Sequence, residues 1–175
     1  TANSSSISTG AGDDAIAVDE VDVVYVVDAG AGDDTITASL GAATNDMDAV
    51  ILGGDGTDTL VFDTAAAHDF TATGGGGTDV AGADRFVMSG IEKLNITALN
   101  DTLTLTAAQF ANNNVMKLIG SANDTFAVTG STSAVTIDAS GLTIDAGSAL
   151  AAIQYTGSSK ADTITGGKET ETIVN

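Results

Sequence analysis

Hydrophobic residues along this chain fall in short runs rather than in helical stripes. Ala15 to Val18, Val21 to Val27, Thr35 to Leu40, Ala49 to Leu52 and Thr59 to Phe62 are aliphatic or β-branched, with glycine and aspartate between them. Such runs, bounded by turn formers, predict strands. Thr102 to Thr106 alternates strictly, which puts Leu103 and Leu105 inside and the threonines outside. In Ser89-Gly90-Ile91-Glu92-Lys93-Leu94-Asn95-Ile96 the parities are mixed, with Ile91, Lys93 and Asn95 on one side and Glu92, Leu94 and Ile96 on the other. Ala107 to Ala111 and Ala149 to Ile153 are each expected to form one helical turn. The chain has no proline to break a ladder, which suits uninterrupted stacking of strands.

The turns between the early strands repeat. Gly53-Gly54-Asp55-Gly56-Thr57-Asp58-Thr59-Leu60-Val61 matches G-G-x-G-x-D-x-U-x, the calcium-binding repeat of parallel β-helices, at every defined position. Gly10-Ala11-Gly12-Asp13-Asp14-Ala15-Ile16 and Gly30-Ala31-Gly32-Asp33-Asp34-Thr35-Ile36 keep everything from the second glycine onward. Closely spaced glycines let the backbone enter positive φ, so that several carbonyl oxygens can turn toward one point. The aspartate two residues after the last glycine adds a carboxylate, and the apolar residue two further on, Ile16, Ile36 or Leu60, starts a strand into the core. Calcium takes about six to eight oxygens in a forgiving geometry, whereas magnesium demands a strict octahedron and keeps its waters, so calcium is favoured.

Asp14 and Asp34 are 20 residues apart and Asp34 and Asp58 are 24 apart, a period that fits a coil of two strands and two turns. The opposite turns would fall at Asp19-Glu20-Val21-Asp22 and Asn45-Asp46-Met47-Asp48, both acidic. The expected fold is therefore all-β, a right-handed parallel β-solenoid. Residues 1–62 form the glycine-aspartate coils, residues 63–80 a Gly-rich excursion or loop, and residues 81–175 a continuing solenoid with degenerate repeats, together one continuous domain cut from a longer protein. Partial motifs return at Gly82-Ala83-Asp84, at Asp124-Thr125-Phe126 and at Asp162-Thr163-Ile164. In the tail, Glu169 and Glu171 replace the third glycine and the aspartate, and their longer side chains should spoil the turn as an ion site.

Composition narrows the function. Aromatic residues are 4% of the chain and Trp is absent, so the core must be a thin one of Val, Ile, Leu and Ala, as in a solenoid rather than a thick globule. The net charge is −19, and Arg85, Lys93, Lys117, Lys160 and Lys168 are scattered singly, which argues against a nucleic-acid partner. No apolar run approaches the roughly 18 residues of a membrane span. Uncompensated carboxylates on stacked turns repel, so several bound calcium ions should be part of the fold. With no cysteine, an extracellular protein needs a staple other than disulfides, and calcium at the millimolar levels found outside cells can serve. No signal peptide is visible at the start of the chain.

The glycine-aspartate repeats resemble the RTX, or haemolysin-type calcium-binding, family, which implies a parallel β-roll with calcium between turns and type I secretion. The order of elements is G-A-G-D-D-T-I-T, G-G-D-G-T-D-T-L-V-F, a spacer, then S-G-I-E-K-L-N-I-T and N-D-T-L-T-L-T in an Ala/Thr-rich chain. It looks like the surface-layer proteins of Gram-negative bacteria of the Caulobacter type. By that resemblance the side-chain ligands are Asp14, Asp34 and Asp58, with backbone carbonyls from Gly10, Gly12, Gly30, Gly32, Gly53, Gly54 and Gly56. Asp84 is the next candidate, and Asp124 and Asp162 follow with fewer glycines before them. Asp13, Asp33 and Asp55 occupy variable positions and are expected to face solvent. The resemblance implies a secreted structural protein of the bacterial surface that self-assembles into a lattice, with cell-surface polysaccharide as a further partner.

Catalysis is the first rival. A polysaccharide lyase needs a strong base and clustered cations, but His68 is the only His and Arg85 the only Arg, and His68-Asp69 reads as a surface pair in a polar loop. An ice- or glycan-binding adhesin would show threonine ladders on a flat face, and Thr35, Thr37, Thr57, Thr59, Thr102, Thr104 and Thr106 recur without one period. An RTX module attached to a secreted enzyme is the third.

Overall fold

The computed structural model describes residues 3–19, 23–39, 49–71, 86–113 and 117–174. It is a parallel β-solenoid. A first face stacks β1 (Asn3–Ala11), β3 (Val23–Ala31), β5 (Ala49–Asp55) and β8 (Phe86–Ser89). A second face stacks β2 (Ala15–Asp19), β4 (Thr35–Ser39), β6 (Thr59–Phe62), β9 (Lys93–Asn95), β11 (Lys117–Ile119) and β14 (Thr143–Ile144). A third holds β7 (His68–Asp69), β10 (Thr102–Thr106), β12 (Thr125–Thr129), β15 (Ala152–Thr156) and β17 (Thr172–Val174), and β13 (Thr136–Asp138) pairs with β16 (Thr163–Thr165).

Every strand pair is parallel, and the register lines up like residues from coil to coil. On the second face Ile16, Ile36, Leu60, Leu94, Leu118 and Ile144 form one inward column. Ile7, Val27, Ile51 and Met88 do the same on the first. Leu105, Val128 and Tyr155 do so on the third. A one-residue slip would turn each column out to solvent, so burial fixes the register. Leu103 and Leu105 point inward as their alternation requires, and Ile91, Leu94 and Ile96 are all fully buried. Ile91 breaks parity with the other two because it belongs to the turn before β9, not to the strand.

Two-sided coils hold only for the N-terminal part. From β7 onward the chain adds a third side, so the coil is triangular through the rest of the molecule. Part of the 63–80 excursion therefore belongs to the solenoid, as the first strand of the third face. The single helix among the described residues, α1 (Ala107–Ala111), is where the alanine run predicts it, capped by Thr106 and Gln109 in a reciprocal capping box. It takes the place of a strand: Gln109 Nε2 donates to the Phe86 carbonyl at 3.0 Å and Asn113 Nδ2 to the Met88 carbonyl at 3.0 Å, so side-chain amides satisfy two carbonyls of β8. The Ala149–Ile153 turn of helix does not form. Ile153 and Tyr155 pair with Phe126 and Val128 and are buried, and that tertiary pairing overrides the helix propensity of the alanines. The acidic segments 20–22 and 45–48 lie outside the described residues.

His68 is not a surface residue. It pairs with Leu103 at the start of the third face, is 3% exposed, and stacks on Phe62 at 6.1 Å and on Phe70 at 6.2 Å. Its Nε2 is buried without a hydrogen-bond partner. Burial pushes the imidazole pKa down from 6.5, opposed by a hydrogen bond with the Thr64 backbone and by the charge of Asp101. The folded state thus binds its proton later than the unfolded chain, and stability present above about pH 6.5 is lost as pH falls through that value. We expect the melting temperature to drop between pH 7 and pH 5, and His68→Leu to reduce that drop; an equal drop in the variant would exclude His68 as its source.

Candidate metal centre

The glycine turns stack in register at the corner between the first and second faces. Gly10, Gly30 and Gly54 are aligned, with φ of 105°, 104° and 114°, and Gly12, Gly32 and Gly56 follow with φ of 115°, 134° and 140°. A Cβ on Gly54 would strike the Gly30 carbonyl, and one on Gly56 the Gly32 carbonyl. Glycine is thus required twice over, for backbone conformation and for the close approach of one turn to the next. Gly53, between the Asp28–Leu52 and Gly30–Gly54 pairs, has an ordinary φ and lies outside the glycine columns.

Behind the glycines runs a column of acids. Asp34 Oδ1 accepts the Asp14 amide at 2.8 Å, and Asp58 Oδ1 accepts the Asp34 amide at 2.9 Å. Glu92 Oε2 in turn accepts the Asp58 amide at 2.9 Å. Each carboxylate therefore holds the turn of the preceding coil through one oxygen. The second oxygen of Asp34 and of Asp58, Oδ2, is buried and has no hydrogen-bond partner, and neither has Oδ2 of Asp14. Asp34 is 1% exposed and Asp58 is fully buried. Burial pushes the Asp58 carboxyl up from its usual range; the hydrogen bond from Asp34 pulls it back, and the charges of Asp34 and Asp33 push it up again.

A second ladder of opposite sense runs on the outside. Asp13 accepts the Asp33 amide at 2.8 Å and Asp33 accepts the Thr57 amide at 2.9 Å, and the side chains of Asp13, Asp33 and Asp55 are exposed. These acids face water, as their variable motif positions imply, while two of them also tie coil to coil.

The remaining predicted residues go elsewhere. Asp84 lies outside the described residues. Asp124 sits at the corner between the second and third faces, between β11 and β12. It is fully buried, with Oδ2 accepting the Ser121 amide at 2.5 Å and Oδ1 unpartnered. Asp162 sits between β15 and β16, where Val135 N, Ser158 N and Ser158 Oγ all donate to its carboxylate. The Val135 amide above all holds its pKa low. Protein donors already occupy that carboxylate, which makes Asp162 a turn organiser. Glu171 folds back likewise, accepting the Gly167 amide at 2.7 Å and the Tyr155 hydroxyl at 3.1 Å.

Among the described residues no three acidic or imidazole side chains converge on one point. An ion at the glycine corner would therefore draw on one or two carboxylates per rung and take the balance of its oxygens from the backbone. A hard cation accepts that mixed donor set, whereas zinc, which prefers nitrogen and sulfur, does not. Glu92 is the residue that sequence pattern missed, because no glycine-aspartate motif precedes it. The chain matches no protein-family model, no curated protein and no solved structure.

The glycine geometry grades two substitutions. Gly10→Ala meets no atom within 4 Å and should cost only the positive-φ penalty, about 1–2 kcal/mol. Gly54→Ala adds a backbone clash and should cost clearly more in denaturant unfolding. Equal costs would mean that the turns are not stacked this closely.

Proposed function

We propose that this chain is a calcium-stapled structural solenoid, a segment of a secreted bacterial surface-layer protein that self-assembles into a lattice. The observation that carries the calcium reading is the pair Asp34 and Asp58, each buried with one oxygen that no protein donor reaches. A buried carboxylate left unpaired costs several kcal/mol, and a column of them in a chain of net charge −19 costs more through mutual repulsion. A divalent cation removes both costs. Calcium suits oxygen-only donors, and weak sites fill at extracellular concentrations.

The lattice rests on the resemblance to surface-layer proteins, and the chain's surface supports it. The outward positions of β10, β12 and β15 are Thr102, Thr104, Thr106, Thr125, Ala127, Thr129, Ala152, Gln154 and Thr156, all uncharged. Copies of an acidic protein can approach one another most readily through such a face, more so when calcium screens the rest. The seclusion of His68 against Phe62 and Phe70 favours a non-catalytic role. One observation favours the adhesin alternative: threonines without a common period in sequence do align here, Thr106 with Thr129 and Thr156, and Thr102 with Thr125.

Thermal unfolding followed by circular dichroism in calcium and in chelator tests the staple. Calcium should raise the melting temperature of the parent. Asp58→Asn should lower it in calcium yet leave it equal or higher in chelator, where the buried charge has no partner, and Asp55→Asn should change neither by much. An identical melt with and without calcium would defeat the reading. For the assembly, electron microscopy of the parent protein at millimolar calcium should reveal ordered arrays; a monomer that binds a glycan instead would favour the adhesin.

A further inference from the structure

The fourth coil departs from the motif and still continues the acid column. Leu52 pairs with Ser89 and Thr59 with Lys93, so the six residues 53–58 of one turn lie against only the three residues 90–92 of the next. Within that short turn Glu92 occupies the position of Asp58. Its Oε2 accepts the Asp58 amide at 2.9 Å, while the Glu92 and Lys93 amides donate to the Asp58 carbonyl at 3.1 and 2.9 Å. The longer glutamate makes up for a turn that has lost three residues.

A second feature lies beside it. Gly53 has an ordinary φ, so backbone conformation does not demand glycine there. A Cβ at Gly53 would instead meet the Gly90 carbonyl and, at 2.6 Å, Asp58 Oδ2, which is the fully buried oxygen without a partner. A carbonyl and an orphaned carboxylate oxygen thus face the same small cradle, kept open by the absent side chain. Two oxygens this close to one point repel, and a divalent cation there would take both as donors.

We infer that Glu92 is the fourth acid of the column, and that Glu92, the Gly90 carbonyl and Asp58 Oδ2 form a hard divalent-cation site between the third and fourth coils. This rests on the calcium reading of the corner and extends it to a coil that carries no glycine-aspartate repeat. The test is calcium counting by equilibrium dialysis on the intact chain, with melts in calcium and in chelator. Glu92→Gln keeps an acceptor for the Asp58 amide and removes the charge; Glu92→Asp keeps the charge on a shorter reach. Glu92→Gln should bind one calcium fewer, or bind it roughly tenfold more weakly, while melting like the parent in chelator. Glu92→Asp should retain the full count with weaker affinity. Should Glu92→Gln bind the full count at parental affinity, or lose the same melting temperature with and without calcium, Glu92 is only a backbone acceptor and the site does not exist. A parent that binds no calcium would overturn the function reading itself; a parent that binds calcium beside an unaffected Glu92→Gln would overturn this site alone.

Discussion

A carboxylate that must bind its neighbour's backbone amide with one oxygen and is sealed from water at the other governs the glycine corner. Asp14, Asp34, Asp58 and Glu92 each belong to one coil, and Asp34, Asp58 and Glu92 each hold the turn of the coil before. Those bonds need turns in close contact, close contact needs glycine at 30, 32, 54 and 56, and the apolar residue after each acid then falls into the core column. The stacking that orders the corner also gathers negative charge where solvent cannot screen it. Local order and electrostatic cost come from the same bonds, and the calcium we propose would offset that cost.

The solenoid changes its cross-section partway along. The first two coils put their described strands on two faces and are thin, filled by Ile16, Ile36 and Val27. At β7 the chain adds a third side, and the wider triangle brings in the bulkier Phe62, Phe70, Phe86, Phe110, Phe126 and Tyr155. The turn chemistry changes with it. Past that junction Asp162 accepts the Ser158 amide and hydroxyl of its own turn as well as the Val135 amide of the coil before, and Glu171 Oε1 accepts the Gly167 amide and the Tyr155 hydroxyl, so protein donors hold these turns together. Asp124, with a buried free oxygen, is the exception.

Much of this could be read from residues. Positive φ at the paired glycines, the inward residue two after each aspartate, the Leu103 and Leu105 alternation and the Thr106-capped helical turn all follow from local rules that sequence displays directly. What stayed hidden depends on register between distant segments. Asp58 and Glu92 are 34 residues apart, across a spacer that no periodicity bridges. Likewise, Asp124 and Asp162 carry the same D-T-apolar signature as Asp58 yet belong to different corners, because the period stops reporting the corner once coils have three sides. His68 looked polar in its dipeptide and is buried because β10 pairs with it.

The most direct measurement is a crystal structure of this chain grown in calcium, with anomalous difference maps. A calcium-stapled corner predicts anomalous peaks about 2.3–2.6 Å from Oδ2 of Asp34 and of Asp58. Water or a protein donor on those two oxygens, with no peak along the column, would contradict it.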